Sequence, residues 1–374
     1  MNIFGIVCEC NPFHNGHAYC IDQAKAMGAD AVILAMSGDF VQRGEPAIFD
    51  HYTRSAAAVA YGADLVLKIP LPYCLSSAQF YAQAGVSILK AAGITHLLFG
   101  SESGNLSSLQ QVASTMTTPY YQGQLKQLLS NNLSYPRARA KALALCEVDS
   151  APLSNPNDTL AVEYILALGR SNIQPISVLR RQVDHHSTIP GSNTASATYL
   201  RQQLLQGQDI SDYVPANSCV VPPANPCALD KVLLCNLLHA TPASLANTAF
   251  CQNGLGNRLQ LQLSGCTSIH QLVQRCTSNQ ITAARVRRAI WAHYFGITNA
   301  DITAPIDRLF FTAASQKGLS LLKNFSLPCS ASLADWKNTR FANLESMAAD
   351  THQALYDKMP SRGTAYRKKP FILK

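Results

Sequence analysis

The chain has 374 residues, 47% hydrophobic and 14% charged, with a formal net charge of +8; this supports one or two buried cores and excludes a disordered chain. Gly and Pro, at 20 and 19 residues, lie near background and exclude a collagen-like or low-complexity class. The start Met1-Asn2-Ile3-Phe4-Gly5 lacks a basic leader and no apolar run reaches about 18 residues, so the sequence predicts neither signal peptide nor membrane span and a cytoplasmic protein.

In chain order, residues 3–7 read as a strand, 16–27 as a helix, 31–36 as a strand, 51–61 as a helix, 64–69 as a strand, 76–92 as a helix and 95–99 as a strand. Continuous apolar strands between helices predict a doubly wound parallel α/β sheet covered on both faces. Ligands of such sheets sit beyond the strand carboxyl ends, which nominates the loops after Val7, Met36, Ile69 and Phe99. From about 105 to 170 the pattern turns helical, an insertion in which Ser154-Asn155-Pro156-Asn157-Asp158 caps a helix starting near Thr159. Residues 176–179 read as a strand leading into Arg180 and Arg181, and Gly191-Ser192-Asn193-Thr194 precedes a helix over 195–205. Pro215, Pro222, Pro223 and Pro226 mark a linker at 215–227. It divides a catalytic domain at 1–214 from a mainly helical domain at 228–374, with helices at 229–238, 268–276 and 282–294 and a strand at 307–311.

Charge follows this division. Residues 256–374 carry 16 Lys and Arg against 6 acids, net +10, which leaves net −2 for the rest. A neutral catalytic part joined to a basic part suits a polyanionic partner, although a solvated basic face has the same composition. The twelve cysteines read as reduced small residues. Cys8, Cys10 and Cys20 lie near His14 and His17 but lack the paired C-x₂-C spacing of structural zinc, so no metal site is predicted.

The loop after the first strand carries the chemistry. In Glu9-Cys10-Asn11-Pro12-Phe13-His14-Asn15-Gly16-His17, two histidines three apart open a helix. A helix N-terminus attracts anions through its free N–H groups, and Gly16 lets backbone approach closely, so the loop suits a phosphate. The imidazoles can donate hydrogen bonds as charge builds on an α-phosphate, an effect worth about 2.7 to 4 kcal/mol per donor. Arg43, in the loop after the second strand, is the candidate cation; pairing with Glu45 is its alternative.

His14-x-Gly16-His17 after the first strand resembles the signature of the HxGH nucleotidyltransferase superfamily. The longer run from Glu9, with Ser37-Gly38-Asp39-Phe40-Val41-Gln42-Arg43-Gly44-Glu45-Pro46-Ala47 and Phe99-Gly100-Ser101-Glu102, looks like the bacterial tRNA(Met) cytidine acetate ligase family. The resemblance implies a Rossmann-like nucleotidyltransferase that makes acetyl-adenylate from acetate and ATP and acetylates N4 of the wobble cytidine of elongator tRNA(Met). It implies catalytic roles for His14, His17 and Arg43. ATP contacts are implied at Val7, Cys8, Glu9, Cys10, Asn11, Pro12, Phe13, His14, Asn15, Gly16, His17, Cys20 and Gly100, at Asn157 or Asp158, and at Arg181 or its neighbour Arg180. Asn157 or Asp158 can equally cap the following helix. Ala195-Ser196-Ala197-Thr198-Tyr199-Leu200-Arg201 resembles the helix start that superfamily members place near ATP phosphates, which nominates Ser196 and Arg201.

For tRNA, residues 282–294 form a helix with Val286, Ile290 and Tyr294 toward a core and Arg285 and Arg288 on another side. The family resemblance recurs there as Thr282-x-x-Arg285-Val286-x-Arg288 and makes Arg285, Arg287 and Arg288 the tRNA-binding candidates. Lys126, Arg137, Arg139 and Lys141 form a second basic patch, facing either the anticodon stem or solvent, and Arg362, Arg367, Lys368, Lys369 and Lys374 a basic tail. Tyr73, Phe80 and Tyr81 are aromatics for stacking an exposed base or for a core. Mg²⁺ enters as the ion such chemistry commonly uses, although no acidic metal pair stands out, and the sequence does not fix the oligomeric state. The competing functions are a small-metabolite adenylyltransferase and a non-catalytic RNA-binding protein that keeps the fold.

Overall fold

The computed structural model describes residues 1–131, 133–180, 193–216, 218, 221–356, 359 and 361–374. β1 (Ile3–Cys8) leads into α1 (Asn15–Ala26) and β2 (Ala31–Ser37), then a small hairpin of β3 (Phe40–Val41) and β4 (Glu45–Pro46). α2 (His51–Tyr61), β5 (Leu65–Ile69), α3 (Ala78–Ala91) and β6 (His96–Ser101) follow. The helical insertion is α4 (Leu106–Met116), α5 (Pro119–Ser130), α6 (Tyr135–Leu145) and α7 (Pro156–Leu168), and the chain returns through β7 (Gln174–Leu179) and α8 (Ala197–Leu205). Beyond the proline-rich segment come α9 (Asp230–Leu238), α10 (Pro242–Asn247), α11 (Leu255–Leu263), α12 (Ile269–Cys276), α13 (Ala283–Phe295) and α14 (Asn299–Thr303). The chain closes with β8 (Leu309–Ser315), α15 (Gln316–Leu321), β9 (Cys329–Ser330), α16 (Arg340–Gln353) and β10 (Phe371–Leu373).

The main sheet runs β10-β8-β5-β2-β1-β6-β7, with β9 on β8. β5, β2, β1, β6 and β7 are mutually parallel, the doubly wound arrangement expected from the sequence. Strand order reverses between β1 and β6, and the crevice at that switch point is where this architecture binds ligands. The period-two alternation places Ile3 and Val7 of β1 in one core and Phe4 and Ile6 in the other, so both faces are covered. Side chains cap both helices: Asp50 accepts from Thr53 N–H at 2.7 Å to open α2, and Thr282 from Arg285 N–H at 3.3 Å to open α13.

Past the proline-rich segment the chain is not helices alone. β8 is longer than the sequence suggested and pairs antiparallel with β5, while β10 lies parallel to β8 and so runs against the rest of the sheet. The apolar run of β8 and the edge of β5 cover one another, which leaves neither as an open edge. A buried polar layer fastens this segment beneath β2 and β5. Lys68 of β5 pairs with Glu345 of α16, Glu345 accepts from Leu71 N–H at 2.6 Å, and Asp39 binds the His51 ring at 2.8 Å. Among the described residues, no helix is long and apolar enough to cross a membrane.

Candidate active site

The carboxyl ends of β1 and β6, the start of α1, the β3–β4 hairpin, α6, α7 and the loop before α8 enclose a cleft of about 720 Å³. The β1–α1 loop forms its floor. Cys10 turns the chain with a left-handed φ of 48°, after which Phe13 is buried in the core and His14 takes the N-cap position of α1. The His14 Nδ1 accepts from the Gly16 N–H at 3.0 Å, and the His17 Nδ1 accepts from the His14 N–H at 3.3 Å. Because each Nδ1 is an acceptor, each neutral ring carries its hydrogen on Nε2. The two rings lie 4.0 Å apart. A Cβ on Gly16 would stand 2.8 Å from the His14 ring, so glycine is what lets that ring fold over the helix start.

Electrostatics hold the His17 ring in one protonation state. Burial, reinforced by the Arg180 and Arg54 cations, lowers the His17 pKa to about 3, so the ring is a neutral hydrogen-bond donor at ordinary pH. Burial pushes the Glu9 carboxyl up against the pull of Arg43 and Arg201. It also raises the Cys20 thiol to about 11, which keeps that sulfur protonated. Among the described residues, no cluster of three His, Cys, Asp or Glu side chains is placed to hold a metal ion.

The structure sorts the residues nominated from sequence. Val7, Cys8, Glu9, Cys10, Asn11, His14, Asn15, Gly16, His17, Cys20, Arg43, Gly100, Asn157 and Arg180 all line the cleft. Pro12, Phe13 and Asp158 are not among the lining residues and are buried. Asp158 accepts from the Ser101 hydroxyl and from the N–H groups of Glu102 and Ser103, both at 3.1 Å, and so shapes the loop after β6. Asn157 faces the cleft; its N–H, and that of Asp158, donate to Glu102 at 3.2 and 2.9 Å. Glu102 therefore caps α7 from another segment. Arg181 lies outside the described residues, whereas the Arg180 side chain passes beside Gly100, where a Cβ would stand 3.4 Å from its Cγ. Ser196 caps α8 by accepting from Tyr199 N–H at 3.1 Å, and Arg201 donates to the Asn11 carbonyl at 2.9 Å.

One residue that sequence reasoning passed over ties these pieces together. Arg54 of α2 is 1% exposed and donates to the carbonyls of Glu9, Ser37, Gly38 and Phe49, joining the ends of β1 and β2. Its signal was present: His51, Arg54, Ser55, Ala58 and Val59 are the buried positions of α2, at helical spacing. The tRNA candidates on α13 also meet the hairpin. Arg287 and Arg288 donate to the Arg43 and Gln42 carbonyls at 3.1 and 2.9 Å, and Arg285 to those of Phe250, at 3.1 Å, and Gln252. Glu45, the alternative partner considered for Arg43, pairs with Arg287 at 3.3 Å. In the insertion, Lys126, Arg137 and Lys141 are exposed, but Arg139 is buried and pairs with Glu163 at 2.8 Å. Tyr73 and Tyr81 are core residues and Phe80 packs against that core, whereas Tyr135, on the cleft wall, is 47% exposed.

Known proteins resemble the chain along most of its length. Residues 1–366 match the family model described as HIGH Nucleotidyl Transferase. The chain is 30% identical to the tRNA(Met) cytidine acetate ligase of Acetivibrio thermocellus over 98% of this chain and 97% of that protein. It is 33% identical to the ligase of the same name from Streptococcus sanguinis, over 86% and 87% of the two chains. Its fold superposes on Thermotoga maritima TmcAL bound with alpha-thio ATP with a TM-score of 0.91, at 24% identity and full coverage of both chains.

Proposed function

From the premise that the chain belongs to the tRNA(Met) cytidine acetate ligase family of HIGH nucleotidyl transferases, we propose that it joins acetate to ATP as acetyl-adenylate and passes the acetyl group to N4 of the wobble cytidine of elongator tRNA(Met). The observation that carries the chemistry is the pair of imidazoles locked with hydrogen on Nε2 at the N-terminus of α1, inside the cleft.

An acetate oxygen attacks the α-phosphorus and pyrophosphate leaves. The nucleophile is already an anion, so the site must orient it and stabilise charge on the phosphoryl oxygens rather than remove a proton. His14 and His17 donate to those oxygens from Nε2, the free N–H groups of α1 add their dipole, and Arg43 and Arg180 flank the site. Asn157 and the side-chain-free surface of Gly100 receive the rest of the nucleotide. In the second step the cytidine N4 attacks the acetyl carbonyl, the C–O bond to AMP breaks, and a proton leaves the nitrogen. The wobble base must reach the cleft unstacked, and we assign its stacking surface to Tyr135. The basic segment at 228–374 receives the tRNA, with half-buried Arg285 of α13 as a contact and exposed Lys126, Arg137 and Lys141 facing it.

The test is pyrophosphate exchange into ATP with and without acetate, followed by labelled acetate and bulk tRNA. Acetate-dependent exchange with label entering tRNA is expected. Exchange without transfer would move the acceptor to a small metabolite, and no exchange in any mixture would leave an RNA-binding protein.

A further inference from the structure

The β3–β4 hairpin that carries Arg43 has two-residue strands that pair only with each other, apart from the main sheet. A hairpin that short does not hold its own position, so its neighbours must supply it. On one side Gln42 N–H donates to the Glu9 carboxylate at 2.9 Å. On the other side the grip comes from α13. Arg288 Nη1 holds the Gln42 carbonyl at 2.9 Å, and Arg287 Nε holds the Arg43 carbonyl at 3.1 Å and the Glu45 carboxylate at 3.3 Å. At the base of the hairpin, the Phe40 ring packs edge-on to Trp291 and Phe295, with centroids 4.8 and 5.0 Å away. The turn touches the helix backbone itself: Gly44 has φ +79°, and a Cβ there would lie 2.8 Å from both Arg287 Cβ and Arg288 N.

The burial of Arg288 separates this arrangement from RNA binding. The side chain is 8% exposed and its guanidinium lies over the Phe250 ring at 5.6 Å, where a phosphate oxygen cannot reach it without displacing protein. A guanidinium donating to a backbone carbonyl fixes that carbonyl with a charge-assisted bond. Here the fixed carbonyls belong to Arg43 and to the residue before it.

We propose that Arg287 and Arg288 are positioning residues for Arg43, so that α13, an element of the segment that receives RNA, also sets the cation used in adenylate formation. The proposal rests on the reading of the cleft given above. Displacing a reacting group by about 1 Å can cost on the order of 100-fold in rate, which sets the scale of the effect.

The experiment uses the full chain without tRNA and measures acetate-dependent pyrophosphate exchange together with amide hydrogen exchange over residues 39–47. Arg288→Met should lower the kcat of exchange about 10- to 100-fold, leave the KM for ATP within about twofold, and speed amide exchange in the hairpin. Arg288→Lys, whose ammonium can still reach the Gln42 carbonyl, should recover part of the rate. Gly44→Ala displaces the hairpin from α13 without removing any charge, and should reproduce the kcat loss; it also stands in if Arg288→Met fails to fold. A wild-type exchange rate in Arg288→Met and Gly44→Ala, with unchanged hairpin protection, would overturn the proposal; so would a second assay, labelled acetate transfer with added tRNA, in which the only defect is a raised KM for tRNA, which would make these arginines RNA ligands. Absence of acetate-dependent exchange in the wild type would instead remove the functional reading, while the hairpin protection still decides the role of α13 as a strut.

Discussion

At the scale of single residues, the site depends on where two hydrogens sit. The backbone takes the Nδ1 of both His14 and His17, which leaves the Nε2 hydrogens as the only ring donors. A His17 pKa of about 3 means that this ring neither gives nor takes a proton near neutrality, so His17 should add no inflection to the pH–rate profile of exchange between about pH 5 and 8. His17→Asn should lower exchange about 100- to 1,000-fold while the fold persists. The same shift has a stability consequence. Between the ordinary imidazole value of 6.5 and about 3 the unfolded chain binds a proton at His17 that the folded chain refuses, so stability falls as pH drops through that window. Thermal melts of His17→Asn should therefore show a shallower loss from pH 6.5 to 4 than the wild type. Both histidines and Gly16 were legible in sequence because their partners lie within three residues. Asp158 was not resolved from Asn157, because what decides between them is a loop 55 to 57 residues away, at Ser101 to Ser103.

At the scale of elements, the helices of the first hundred residues were recovered, several in the last third, α16 among them, were not, and no orientation was. α2 was expected, yet Arg54 on its buried stripe escaped notice because a buried arginine without a carboxylate partner is rare in sequence-based reasoning. Each carbonyl it serves would be left unpaired on truncation, at about 1 to 3 kcal/mol apiece. Arg54→Met should accordingly lower the unfolding midpoint by several degrees and reduce exchange through loss of alignment between the β1 and β2 loops. α7 gives a second case: its cap comes from Glu102, at the end of β6, rather than from the adjoining loop. α13 gives a third. Its amphipathic pattern and basic residues were visible, but the direction in which Arg287 and Arg288 turn depends on a hairpin about 240 residues earlier in the chain.

At the scale of the whole molecule, the parallel sheet and the charge asymmetry could be read from composition and periodicity, since both are summed over many residues. The contribution of β8 and β10 to that sheet could not, because nothing local in a short apolar run names its neighbour. Their placement makes the two halves of the chain mutually dependent. A fragment ending at residue 227 would expose the β5 edge and the apolar face that β8 and α16 cover, and would strip Lys68 of Glu345. Such a fragment should show no cooperative melt by circular dichroism, whereas the full chain melts as a unit; a folded, exchange-competent fragment would show that residues 1–214 stand alone.

The antiparallel return of β8 onto β5 also orders events in time. Ribosomes deliver the nucleotide loops first, but the strand that closes the sheet at β5, and before it the helix that seats Arg43, are translated only in the last third of the chain. A growing polypeptide that already displays the two histidines therefore lacks a seated Arg43. On the role proposed for Arg43, an incomplete chain should form no adenylate until α13 has been made.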